Sequence, residues 1–106
     1  MQETVKNKIQ SQIDSNNIIL YMKGSKESPM CGFSSQVVKI LNSYGIDYAT
    51  VDVLSDQEIR EGIKEFSEWP TIPQLYVNGK FIGGCDICSE MHFNGELKSL
   101  IANQQL

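Results

Sequence analysis

Of the three cysteines in the chain, Cys31 stands in the run Cys31-Gly32-Phe33-Ser34, just after Pro29 and ahead of an apolar pattern of helical period. A cysteine at a helix N-terminus lies against free backbone N–H groups and the positive end of the dipole. Both favour the thiolate and can bring a thiol pKa from about 8.5 into roughly the 3.5–7.5 range, and the thiolate is the nucleophile and metal ligand. Lys23, at the end of the preceding apolar run, adds a cation to the same pocket, and Gly32 lets backbone come close to a ligand. Ser34 holds the place where a dithiol motif has its second cysteine. A hydroxyl cannot resolve a mixed disulfide, so the two-thiol exchange cycle is closed to this helix and resolution needs a second, external thiol. The motif describes a thiol that binds or holds better than it turns over. An inert buried cysteine is the alternative.

Two further runs carry chemistry. Trp69-Pro70-Thr71-Ile72-Pro73 has two prolines within four residues, which force extended backbone and remove donors. Across a cis Ile72–Pro73 bond, the Ile72 N–H and C=O would face outward and pair with an extended peptide; a rigid turn is the plainer alternative. Gly83-Gly84-Cys85-Asp86 mirrors the first site, with a strand end, two glycines and a helix start. Amides there would receive a carboxylate, and Asp86 would pair with an ammonium group or simply cap the helix. Arg60 would grip another carboxylate or stay solvated. Lys23 and Arg60 thus suit one carboxylate end, Ile72 a peptide bond, Cys85 and Asp86 an α-amino acid end, and Cys31 a thiol. Glutathione has those features in that order.

Cys85-x-x-Cys88 leaves three readings open. The pair could form a disulfide at a helix start. Cys85, Cys88 and His92 have ligand spacing for zinc, with a fourth ligand from Cys31 or an external thiol. Cys88 could equally be a small residue on an inner helix face, with His92 on the surface. Phe33 either covers a ligand or packs on the hairpin, and Trp69 reads as structural.

The elements that position these residues follow from periodicity. Val5, Ile9 and Ile13 fall four apart and predict a helix over Thr4 to Ser15. Ile18 to Met22 is a short buried strand, and Lys23 to Met30 a loop. A helix begins at or just after Cys31, with Val37, Ile40, Leu41 and Tyr44 inward and Gly45 past its end. Tyr48 to Val53 is a second strand. Ser55 or Asp56 caps a third helix that turns Ile59, Ile63 and Phe66 inward. Gln74 to Val77 and Lys80 to Ile82 are strands joined by Asn78-Gly79, a strong hairpin signal. Helical segments then run from Asp86 to Phe93 and from Glu96 to Asn103. A crossover helix makes the first two strands parallel, and the hairpin adds an antiparallel pair. The predicted fold is α/β of the thioredoxin type: a four-stranded mixed sheet with helices on both faces.

A chain of 106 residues has room for one domain, here 1–106. Its net charge of −4 provides no broad basic surface for nucleic acid. There is no signal-like apolar run at the start and no stretch near 20 apolar residues to cross a bilayer. Three cysteines are an odd, sparse count for a secreted disulfide scaffold, so a reducing, cytoplasmic home is expected.

Cys31-Gly32-Phe33-Ser34, Lys23-Gly24, Trp69-Pro70-Thr71-Ile72-Pro73-Gln74 and Gly83-Gly84-Cys85-Asp86 together resemble the monothiol, CGFS-type glutaredoxins in their single-domain form. The likeness covers nearly the whole chain. It implies a [2Fe–2S] cluster bridged in a homodimer, with Cys31 as the protein ligand and glutathione as the other. It implies glutathione held by Lys23, Arg60, Ile72, Cys85 and Asp86, the last three largely through backbone. Cluster delivery to apo-proteins, BolA-type partners and at most weak glutathione-dependent oxidoreductase activity follow from it as well. Counting agrees: a [2Fe–2S] cluster takes four ligands, usually thiolates, and one Cys31 plus one glutathione per chain supplies two. The Ser25 to Met30 segment is longer than a tight turn needs, and the resemblance links it to cluster holding over exchange. The competing function is an enzyme that reduces glutathionylated proteins with Cys31 as nucleophile. Cys88 departs from the family, which usually has an aliphatic residue there.

Overall fold

The computed structural model describes residues 1–104. Val5, Ile9 and Ile13 form the buried stripe of α1 (Glu3–Asp14). The chain then enters β1 (Ile18–Met22), buried along its whole length. α2 (Gly32–Ser43) starts directly after Cys31 and buries Val37, Ile40 and Leu41. Tyr44, expected on the inner side, does pack against the core there, although it is the C-cap of the helix and only partly buried. β2 (Ala49–Asp52) is shorter than the predicted Tyr48–Val53, although the Val53 N–H still donates to the Met22 carbonyl at 2.9 Å. α3 (Gln57–Ser67) is capped by Asp56, which accepts from the N–H groups of Glu58 and Ile59. β3 (Gln74–Val77) and β4 (Lys80–Gly83) follow, then α4 (Cys85–Phe93) and α5 (Glu96–Gln104).

The four strands run in the order β2-β1-β3-β4, with β1 and β2 parallel and the other neighbours antiparallel. Leu20 on the central strand faces Thr50 on one side and Leu75 on the other. Asn78 and Gly79 both take positive φ, 51° and 81°, as a type I′ hairpin turn requires. Alternation along β1 divides the core. Ile18, Leu20 and Met22 join a cluster with α2, α4 and α5, while Ile19 and Tyr21 join one with α1 and α3. Helices therefore cover both faces, as predicted for the thioredoxin-type arrangement. Gly62 on α3 lets α1 come close, because a Cβ there would stand 2.7 Å from Val5 Cγ1.

Among the described residues no helix is long and apolar enough to cross a membrane. The end of β1, the starts of α2 and α4, one side of α3 and the approach to β3 all meet around one groove.

Candidate functional site

Cys31 is the N-cap of α2, with extended backbone, and its carbonyl accepts the first helical bond from Ser35 at 2.9 Å. Its thiol is partly exposed. Burial pushes that thiol up, but hydrogen bonds from the Ser34 and Phe33 N–H groups and the Ser34 hydroxyl, with the charge of Lys23, outweigh it. The result holds Cys31 below the ordinary thiol range. Ser34 is fully buried, and its Oγ also accepts the Lys23 N–H at 3.1 Å. One hydroxyl thus fastens the end of β1 to the start of α2 and also favours the Cys31 thiolate.

The loop between them is closed on itself. Gly24 and Pro29 form an antiparallel bridge, and the Met30 N–H donates to the Lys23 carbonyl at 2.9 Å. Gly24 is required here: φ is +89°, and a Cβ would lie 2.5 Å from the Ser28 carbonyl oxygen. Asp52 Oδ1 accepts the Gly24 N–H at 2.9 Å. Lys26 Nζ donates to the Tyr48 carbonyl at 2.7 Å and stands 4.3 Å from the centre of that ring. Sequence reasoning missed Asp52, Lys26 and Tyr48 as supports of the loop, because their partners lie more than 20 positions away.

Beside the thiol runs a groove of about 380 Å³ whose lining includes Lys23, Arg60, Ile72, Cys85 and Asp86, brought together from four separate stretches of chain. Cys31 lies next to this groove, flanked by Phe33, which does line it. The Ile72–Pro73 bond is cis. Buried Gln74 donates from Nε2 to the carbonyls of Trp69 (3.0 Å) and Thr71 (3.2 Å), holding the wall that contains Ile72. Arg60 Nε and Trp69 Nε1 are buried donors without a partner among the described residues. A groove with three cations (Lys23, Arg60, Lys64), one carboxylate (Asp86) and unpaired donors suits a small zwitterionic ligand.

A family profile described as Glutaredoxin matches residues 18–82, well over half of the chain. The chain belongs to the glutaredoxin family. With Ser34 in place of a second thiol, it is of the monothiol kind. It is 52% identical over 101 residues to an uncharacterized monothiol glutaredoxin ycf64-like of Synechocystis, covering 95% of this chain and 94% of the relative. Reduced poplar apo GrxS14 superposes with a TM-score of 0.83 at 42% identity, covering 95% of this chain and 93% of that one. A buckwheat glutaredoxin–glutathione complex superposes with a TM-score of 0.85 at 26% identity, covering 99% and 96%.

Within this glutaredoxin the structure corrects several expectations. Trp69, read as structural, lines the groove as well as packing on Phe81 at 5.8 Å. A Cβ on Gly84 would meet its indole Nε1 at 3.2 Å, so the ring presses on the start of α4. Phe33 is 65% exposed, which removes packing on the hairpin as its explanation. Asp86 is not a cap: Gly84 holds that position without a side-chain bond, and the Asp86 carboxylate stays exposed in the first turn. Lys64 lines the groove without having been singled out by any motif, and Thr71, given no role within its motif, lines it too. Cys88 is fully buried, and burial, then the neighbouring Cys85, push its thiol up to about 12. His92 is exposed, with Nδ1 2.5 Å from the Tyr44 hydroxyl oxygen. Among the described residues no three His, Cys, Asp or Glu side chains converge on a metal position, so Cys85, Cys88 and His92 do not assemble the zinc alternative.

Proposed function

We propose that this glutaredoxin binds glutathione along the groove and, as a pair of chains, carries a glutathione-coordinated [2Fe–2S] cluster for delivery to apo-proteins. The observation that carries the reading is a depressed, partly exposed Cys31 thiol, two residues from the groove-lining Phe33, beside a groove with Lys23, Arg60, Ile72, Cys85 and Asp86. The residues fit the ligand. Arg60 Nε and Trp69 Nε1 are orphaned donors for a carboxylate, the Ile72 backbone for a peptide group, and the α4 N-terminus with Asp86 for an amino acid end. The glutathione complex of the buckwheat relative supports the same choice.

The cluster is cargo on this reading, and Cys31 with the glutathione thiol would be its ligands from each chain. Ser34, buried and already committed to Lys23, offers no second thiol to displace them. Met30 and Phe33, each 65% exposed beside Cys31, form an apolar rim that a second copy would cover. A BolA-type partner and a cytoplasmic location belong to the same proposal through the monothiol resemblance.

Anaerobic reconstitution with iron, sulfide and glutathione, followed by gel filtration and visible absorption, tests it. A coloured dimer that needs glutathione and that Cys31→Ser abolishes is the expected result. A colourless monomer that turns over glutathionylated protein briskly would instead establish the second reading, a reductase using Cys31 as nucleophile. The depressed Cys31 thiol is the observation that favours that alternative.

A further inference from the structure

Cys31 is not the only cysteine at a helix start, and the second one lines the groove itself. Cys85 is the first residue of α4, partly exposed and part of the groove lining. Cys88, three residues on, is fully buried in the same first turn, and its N–H makes the turn's opening bond to the Gly84 carbonyl at 3.0 Å. Helical side chains lean back over the preceding turn, and Cys88 does so: its Sγ lies 3.9 Å from the Gly83 carbonyl oxygen, at the level of the residues before Cys85. One cysteine of the pair lines the groove while the other is buried in the adjoining core. This is the division between an attacking and a resolving thiol, and Ser34 denies it to Cys31.

We propose that Cys85 and Cys88 form a second thiol–disulfide couple that is loaded by glutathione disulfide bound in the groove. The Cys85 thiolate attacks one sulfur of glutathione disulfide, forming the Cys85–glutathione disulfide and expelling one glutathione thiolate. Cys88, buried and protonated at rest, gives up its proton as the first turn opens and attacks the Cys85 sulfur as the thiolate. The Cys85–Cys88 bond forms, the bond to glutathione breaks, and the Cys88 proton leaves with the second glutathione. Two protein thiols lose two electrons and two protons, and one glutathione disulfide becomes two glutathiones. Two glutathione molecules reverse the sequence.

Geometry sets the condition. Cβ atoms three apart on a helix stand about 5–6 Å apart, against about 3.5–4.5 Å in a disulfide. Closure therefore needs the first turn to yield. It is the part of a helix best able to do so, because its first N–H groups hold no intrahelical bond. Gly83 and Gly84 immediately before it, the first at φ +150°, carry no Cβ to restrict their dihedrals, although Ile87 and Trp69 pack against them and must give as the turn closes. Cys85 Sγ now points toward Ser89 Oγ, 4.0 Å away, a weak contact that a rotamer change breaks.

The proposal rests on glutathione as the groove's ligand, and the test separates the two claims. Cys31→Ser leaves Cys85 and Cys88 as the only cysteines. This protein is treated with glutathione disulfide, acid-quenched, and examined by intact mass and peptide mapping, with released glutathione counted. The expected result is a mass lower by two hydrogens, a Cys85–Cys88 peptide and two glutathiones released per chain. Adding Cys88→Ala should abolish the second release and leave Cys85 stably glutathionylated. A parallel reaction with hydroxyethyl disulfide probes the groove. If closure occurs at equal rates from both reagents, the couple stands and glutathione recognition fails. A lasting adduct on Cys85 with Cys88 reduced, a disulfide-linked dimer, or no oxidation by either reagent would overturn the couple. The measurement on Cys31→Ser does not depend on whether the Cys88 variant folds.

Discussion

Gln74 supports the groove without touching a ligand, and it permits a sharp test. Its side chain is fully buried, and one amide group holds two carbonyls of the Trp69–Pro73 wall, at 3.0 and 3.2 Å. Its Oε1 is buried with no partner. Gln74→Leu keeps the volume and deletes the donor. Two hydrogen bonds at about 1 kcal/mol each are lost, while removal of the orphaned oxygen returns about 1 kcal/mol, so the net loss is about 1 kcal/mol. For a domain of this size that is a fall in Tm of roughly 4–8 °C per kcal/mol. Gln74→Glu has nearly the same shape but sets a carboxylate against two carbonyl oxygens in a dry site. It should cost about 3 kcal/mol or more at neutral pH. Urea unfolding gives both values. Titration with S-methylglutathione, which has no free thiol to react, should show the leucine variant binding about 5–10-fold more weakly, the equivalent of about 1–1.4 kcal/mol of wall disorder. The alkylation rate of Cys31, set by α2, should not change. If Gln74→Leu unfolds at the wild-type midpoint and binds as tightly, the amide does not hold the wall. If the two variants are equally destabilised, electrostatics at this position has been misjudged.

Ser34→Ala removes the Ser34 hydroxyl that favours the Cys31 thiolate, so the thiol pKa should rise; the pH profile of iodoacetamide alkylation should move to higher pH, and an unmoved profile would leave the backbone donors and Lys23 as the cause. Gly62→Val should destabilise by about 1–3 kcal/mol in chemical unfolding, since its first carbon already meets Val5 at 2.7 Å. Asp56 is held below the usual carboxylate range, chiefly by the Ile59 N–H and then by Lys8. A depressed folded pKa stabilises above the unfolded value near 3.9 and is lost as pH falls through the folded one. Asp56→Asn should therefore flatten the acid limb of the stability curve below about pH 4, as unfolding at stepped pH will show.

Much of the fold was legible because it depends on local rules. Val5, Ile9 and Ile13 recur at helical spacing, Asn78-Gly79 admits the positive φ of a tight hairpin, and five apolar residues from Ile18 mark a strand buried on both faces. Cys31 was legible for the same reason: its chemistry needs a helix start, and the apolar pattern after it announces one. Element ends were less so. Tyr48 and Val53 have strand-like character, but pairing with β1 stops at Ala49 and Asp52.

What the sequence by itself determined is the identity of the reactive atom and the absence of a second thiol beside it, because both follow from residue type and spacing of a few positions. Only the tertiary structure decided what surrounds that atom. Trp69 became groove wall, and Lys64 joined Arg60 there. Lys26 was drawn to Tyr48, Asp52 to Gly24, and Gln74 to the backbone of Trp69 and Thr71. It also kept Cys85, Cys88 and His92 from converging on a metal position and buried Cys88 in the core. The physical reason is that these contacts are made across the sheet and between loops. Their energies depend on distances that chain spacing does not encode, whereas a helix start with a cysteine on it is complete within one turn.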